Sequence, residues 1–297
     1  MEILTTLLLL ALYMFCKTGD VVWLKRAQPD NGTLWQNLHF TWLFCLLQAV
    51  FLLVLPPWQT MHFEPAMFLM PILFSIVYIG RVMFTVYAAN NGPMALSQII
   101  ISFNTLFPVI AGIIFWDETL RWWQVVGLIL FCIALPLFNS GSYSEGAERK
   151  PLTLKWLLYS ILALTFSGLA VTCTKTYSAQ FDGAYIKEYL FLYAVSASVI
   201  LLPVMIHMYR RRRADTVMPR SRWIYTGVSA LSMDAANIVF MMFIGAFASA
   251  LYFPMISVIS VCGVLFAGRV FLKERVSRRA WIGIGLSAVA LMLLAIS

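Results

Sequence analysis

The sequence predicts an all-α polytopic membrane protein, with ten transmembrane helices in two inverted five-helix repeats. Three observations carry that prediction: the composition, a run of ten apolar windows, and an internal repeat. Hydrophobic residues make up 61% of the 297 and charged residues 11%, with a mean hydropathy of +0.84. Water-soluble domains carry about 25% charged residues, so this much apolar surface needs a bilayer to cover it.

Breaking the chain at charges, Gly/Pro turns and polar clusters leaves windows at 3–24, 36–56, 66–88, 93–115, 122–138, 154–178, 187–208, 223–243, 247–271 and 279–296. Each is about 17 to 25 residues long, enough to span a hydrocarbon core of ~30 Å at about 1.5 Å per residue. The first window carries Glu2 where a secretory signal wants Lys or Arg, and Met14-Phe15-Cys16 lacks the small residues of a lipobox. It is therefore expected to remain a helix. Cys16, Cys45, Cys132, Cys173 and Cys262 all fall inside windows without metal-like spacing. They read as small packing residues, and no disulfide framework is implied.

The repeat shows first in the polar phrase AQPDNG (27–32), which returns as AQFDG (179–183). A longer match sets SQIIISFNTLFPVIAGIIFWDETLRWWQVVG and its continuation against the segment ending GVLFAGRVFLKERVSRRAWIGIGLSAVALML, at an offset of 156. Gly112 then meets Gly268, Phe115 meets Phe271, Glu118 meets Glu274, Gly127 meets Gly283 and Ala134 meets Ala290. Residues 1–140 and 154–297 thus read as two copies joined by a linker at 141–153. An odd number of spans per copy forces the second to enter the membrane inverted, the plan of many secondary transporters.

Ten spans in two such copies resemble the drug/metabolite transporter superfamily in its EamA-like branch. The resemblance lies in the acidic turns that close the fourth span of each copy, each followed directly by a span rich in small residues. Here they read FWDETLRWWQVVG (115–127) and FLKERVSRRAWIGIG (271–285). The resemblance covers essentially the whole chain and implies export or import of a small metabolite. It also implies a cavity lined by the first, third and fourth spans of each copy. Glu118 and Glu274 match the motif, and at a span end a capping or pairing role is expected of them.

Orientation follows from charge. The loops after odd-numbered spans hold Lys25, Arg26, Arg149, Lys150, Lys155, Arg210 to Arg213, Arg220, Arg222, Lys273, Arg275, Arg278 and Arg279, whereas the even loops hold Arg121 and Lys187. The positive-inside rule makes the odd loops cytoplasmic and sets both termini outside. The resemblance implies both termini inside, and the charge count is the reading favoured here. The tract RRRRADTVMPRSR (210–222) serves as a topology anchor beside anionic lipid, with no nucleic acid as partner.

No phosphate-binding loop, nucleophile elbow or zinc signature is present, and His39, His62 and His207 are scattered. Neither an enzyme nor a cofactor is expected. What remains informative is polarity at membrane depth, where a charge costs about 2.5–3.5 kcal/mol on insertion scales. In span 1, Tyr13, Lys17 and Asp20 share one helix face. Tyr78, Arg81 and Thr85 repeat the pattern in span 3, and Asp234 with Asn237 does so in span 8. Span 4 adds Gln98, Ser102, Asn104 and Thr105 just before Pro108, and span 9 adds Tyr252, Pro254 and Ser257.

Tyr13, Tyr78, Tyr87 and Tyr252 are candidate stacking walls, while most Trp sit at window edges as an interfacial belt. Lys175 and Arg269, near span ends, are expected to snorkel to the headgroups. The bland alternative is a buried network in which Lys17 neutralises Asp20 and Arg81 pairs with Asp234.

These residues point to a secondary transporter in the cell membrane, a bacterial cytoplasmic membrane by expectation. It would move a small polar or zwitterionic, amino-acid-like metabolite by alternating access, with membrane lipids around it and protons as coupling ion. The alternative is a flippase or scramblase for a lipid-linked head group, with Lys17 and Arg81 on phosphate. An ionised carboxylate at depth is penalised unless a cation sits beside it. Asp20 has Lys17 one turn away and Asp234 has no basic residue within a turn, so Asp234 is the candidate to exchange a proton or hold an amine. The topology is directly testable: alkaline phosphatase fused after Ser297 should be active and a fluorescent protein there dark. The reverse pattern would restore the orientation that the resemblance implies.

Overall fold

The computed structural model describes residues 3–27, 33–54, 61–91, 94–139, 153–210, 222–244, 247–271 and 278–295. The first polar phrase beyond Ala27, most of the 141–153 linker, most of the basic tract and Glu274 lie outside the described residues, as do the side chains of Lys25, Arg26 and Arg269.

Hydrocarbon supplies no hydrogen-bond partners, so a spanning chain satisfies its backbone internally, and helices do this within one segment. Among the described residues the structure is all helical, with eleven α-helices. They are α1 (Ile3–Ala27), α2 (Leu34–Val54), α3 (Leu69–Asn91), α4 (Met94–Ser102), α5 (Leu106–Phe115), α6 (Trp122–Asn139), α7 (Leu154–Gln180), α8 (Ile186–Arg210), α9 (Trp223–Ile244), α10 (Ser249–Phe271) and α11 (Arg278–Ala295). The ten windows become these helices because α4 and α5 form one span, interrupted by a 3-10 turn at Phe103–Thr105. Pro108 follows that turn; lacking an N–H, it leaves the helix no bond to close over Asn104.

Local chemistry sets the helix ends. Thr33 and Gln36 form a capping box before α2: Gln36 N–H donates to Thr33 Oγ1 at 3.4 Å, and Thr33 N–H donates to Gln36 Oε1 at 3.0 Å. The polar phrase at 179–183 closes α7. Gly183, at φ 72°, sends its N–H back to the Ser178 carbonyl at 2.8 Å, a left-handed ending that glycine adopts without cost.

The chain forms two compact units, Met1–Val86 with Cys173–Gly245, and Tyr87–Thr172 with Ala246–Ser297. In the first, α1 packs along α9, and α2 packs on α8 and α9. In the second, α11 packs along α6, and α10 packs on α5, α6 and α11. Spans that correspond in the sequence repeat therefore meet inside each unit: α2 with α8, α6 with α11, and α5 with α10. Ala134 and Ala290, equivalent by the 156-residue offset, are both fully buried in one cluster with Phe131, Leu135 and Val258.

Large apolar side chains such as Val54, Phe115 and Met292 instead face outward, as lipid contact requires.

The α6–α11 contact depends on a small residue. A Cβ on Gly127 would lie 3.0 Å from the Ala290 carbonyl oxygen and 3.0 Å from Leu294. Backbone cannot swing aside, so Gly127→Val should destabilise by about 1–3 kcal/mol. At Gly285 a Cβ meets nothing within 4 Å, and Gly285→Ala should hold or raise stability through helix propensity. Thermal unfolding of the two purified variants in detergent checks the contrast.

Candidate functional site

Seven of the predicted site residues lie in the first unit and four in the second. Tyr13, Lys17 and Asp20 line one face of α1 where it meets α9. The Lys17 ammonium pairs with Asp20 Oδ2 at 3.2 Å and reaches Met233 Sδ at 3.0 Å. Ser229 Oγ donates to Asp20 Oδ1 at 2.7 Å. Gly19 faces Ser232 on α9, where an added Cβ would make only ordinary contact with Ser232 Oγ at 3.4 Å. Asp20 is buried and answered at both oxygens, and Tyr13, two turns earlier on α1, is buried as well. The mutual neutralisation of Lys17 and Asp20 is thus realised.

Arg81, midway along α3, lies over the Tyr78 ring with its guanidinium carbon 5.0 Å from the centroid. Tyr78 stacks on Phe74 at 5.9 Å, and Phe74 packs against Tyr193 at 4.9 Å. The anticipated Arg81–Asp234 pair does not form. Among the described residues Arg81 has no carboxylate within ion-pair distance; its guanidinium face lies on an aromatic ring of its own helix.

Asp234 on α9 is fully buried. Gln48 Nε2 donates to its Oδ1 at 2.7 Å, Tyr193 O–H donates to Gln48 Oε1 at 3.1 Å, and Asn237 Nδ2 donates to the Tyr193 hydroxyl at 3.4 Å. Oδ2 of Asp234 has no hydrogen-bond partner among the described residues. Ser75 Oγ donates to the Tyr193 carbonyl at 2.8 Å and so holds α3 to α8.

In the second unit the break in span 4 gathers hydroxyls. Asn104 Nδ2 donates to Ser167 Oγ at 2.7 Å, Thr105 Oγ1 and Ser257 Oγ lie 3.0 Å apart, and Ser102 Oγ donates to the Ile99 carbonyl at 2.7 Å. Gln98 is half-buried nearby in sequence. Tyr252 has no exposure, lying parallel to Phe247 at 6.5 Å; it is a core aromatic. Tyr87 packs on Tyr159 at 5.4 Å.

Glu118 caps a helix, the role expected at that turn. Its carboxylate accepts Ser249 N–H and Ser249 Oγ–H, each at 2.8 Å, at the start of α10, where a negative charge suits the helix dipole. Lys175 departs from expectation. It is buried, and its ammonium donates to the Ile244 carbonyl at 3.0 Å, capping the end of α9 instead of reaching the headgroups.

Gln48, Tyr193, Ser75 and Ser229 were not read from the sequence. Gln48 and Tyr193 belong to α2 and α8, spans that the resemblance does not place at the cavity. Each is one of several polar residues in its span, which left no signal to single it out.

Ionisable groups buried in a bundle of long apolar helices mark a multi-pass membrane protein. Residues 4–140, somewhat less than half of the chain, match the model of the EamA-like transporter family, a branch of the drug/metabolite transporter superfamily. Such a protein takes a small-molecule substrate. No curated protein matches the chain. One solved crystal structure is similar in fold, with a TM-score of 0.68 at 13% identity, covering 99% of this chain and 98% of the other.

The ion pair yields a test. Lys17→Met strands Asp20 with Ser229 alone, so it should lower the unfolding temperature more than the double change Lys17→Met with Asp20→Asn. The cost should fall below the about 3–5 kcal/mol of fully buried pairs, because the Lys17 side chain keeps 23% of its exposure.

Proposed function

We propose that the protein carries a small zwitterionic, amino-acid-like metabolite across the cell membrane by alternating access, with protons as coupling ion and no chemical change to the substrate. The observation that carries this reading is an asymmetry in the first unit. Lys17 and Asp20 answer each other, whereas Arg81 has no carboxylate and Asp234 Oδ2 no partner among the described residues. One cation and one carboxylate oxygen left over are the complement of a substrate that bears both charges. Tyr78, stacked on Phe74, carries Arg81 on its ring and so positions the cation. A purely cationic substrate leaves Arg81 without a task. With Asp234 alternately holding a proton and the substrate amine, binding on one side and release on the other become linked to pH.

The test is uptake of a radiolabelled L-amino-acid mixture into proteoliposomes across a pH gradient. Asp234→Asn should remain folded and lose pH-dependent uptake. Arg81→Gln should raise KM by about 10- to 100-fold, the scale of a lost hydrogen bond to a charged group. Normal transport by Asp234→Asn, with unchanged pH dependence, would return Asp234 to a structural role.

A further inference from the structure

We propose that Gln48 is a positioning residue for Asp234: backed by Tyr193, it holds Oδ1 and leaves Oδ2 as the oxygen that takes a proton or a substrate amine. The inference rests on the reading of Asp234 as the coupling group.

The argument begins with the direction of the donors. Asn237 Nδ2 donates to the Tyr193 hydroxyl, that hydroxyl donates to Gln48 Oε1, and Gln48 Nε2 donates to Asp234 Oδ1. Each member passes one hydrogen toward the carboxylate. A glutamine amide can be turned end for end, but the reversed amide would set Oε1 against Oδ1, two acceptors at hydrogen-bond distance. The Tyr193 hydroxyl has one proton and spends it on Oε1, which selects the observed orientation.

The tyrosine is itself held: Phe74 lies against its ring at 4.9 Å, and Ser75 Oγ donates to its carbonyl at 2.8 Å. Gln48 is 1% exposed, Tyr193 5% and Asp234 0%, so three helices, α2, α8 and α9, fix one buried carboxylate.

Other ionisable groups around it are accounted for. Cys45, one turn before Gln48 on α2, and Tyr193 on α8 face the carboxylate electrostatically. From α1, Lys17 and Asp20 are paired with each other. From α3, Arg81 lies on Tyr78. His39, farther along α2, contacts Trp42 and Tyr209.

A donor aimed at Oδ1 favours the ionised carboxylate. Its removal should therefore let Asp234 keep its proton to higher pH, with no change in the residue that titrates.

The experiment is an infrared pH titration of the full-length protein, labelled with carbon-13 aspartate, in lipid. The carboxyl stretch absent from Asp234→Asn identifies the Asp234 band. Gln48→Leu is expected to move that band to higher frequency and its titration midpoint up by about one pH unit, tenfold in proton affinity. Tyr193→Phe, which deletes one hydroxyl and keeps the ring, should shift the midpoint the same way by less, and serves where Gln48→Leu fails to fold. An unmoved band and midpoint in these variants, or no titrating Asp234 band at all, would overturn the proposal. Failure of the coupling reading shows separately, as pH-dependent uptake surviving in Asp234→Asn whatever the infrared result.

Discussion

Hydrocarbon offers no hydrogen bonds, so each polar group carried into the bilayer has to be met by another part of the chain. The rest of the structure follows from that constraint. It makes the spans helical, and it decides what happens where a helix stops. At the interruption of span 4, Ser167 and Ser257 supply hydroxyls to Asn104 and Thr105. At the junction of α9 and α10, Lys175 takes a carbonyl from the end of one helix and Glu118 takes the first donors of the next. A cation on a helix C-terminus and an anion on an N-terminus are each the favoured sign.

Where the constraint is met, polar groups are structural; where it is left incomplete, they are available. Asp20 receives both a lysine and a serine and has little left to offer a ligand. Asp234 receives one amide on one oxygen. This difference between two carboxylates of the same unit separates framework from candidate site more sharply than residue type does.

Much of the fold was legible because length and hydropathy act over whole spans: the ten windows agree with the helices to within about three residues at each end. The break at Phe103–Thr105 was foreshadowed by polar residues before Pro108. The burial of Asp20 and Asp234 was legible too, since a charge inside an apolar run has nowhere to hide. Their partners were not. Gln48 and Tyr193 sit among other polar residues of α2 and α8, such as Thr41 and Tyr189, so nothing in the sequence singles them out, and the pairing of residues 186 and 145 positions apart depends on how helices pack. Lys175 misled for a related reason: nearness to a span end suggests the headgroups, while the carbonyl it meets belongs to another helix.

The sequence distances of these contacts bear on the order of synthesis. A chain made from its N-terminus inserts its early spans first. Asp20 enters the bilayer 209 residues before Ser229 is made, yet Lys17 travels in the same helix and accompanies it from the start. Asp234 has no such companion on α9, but Gln48 was laid down 186 residues earlier and is waiting when it arrives. The same holds for Ser249, whose acceptor Glu118 precedes it by 131 residues. Asp20, made early, thus brings its own cation with it, and Asp234 and Ser249, made late, each find a partner already laid down.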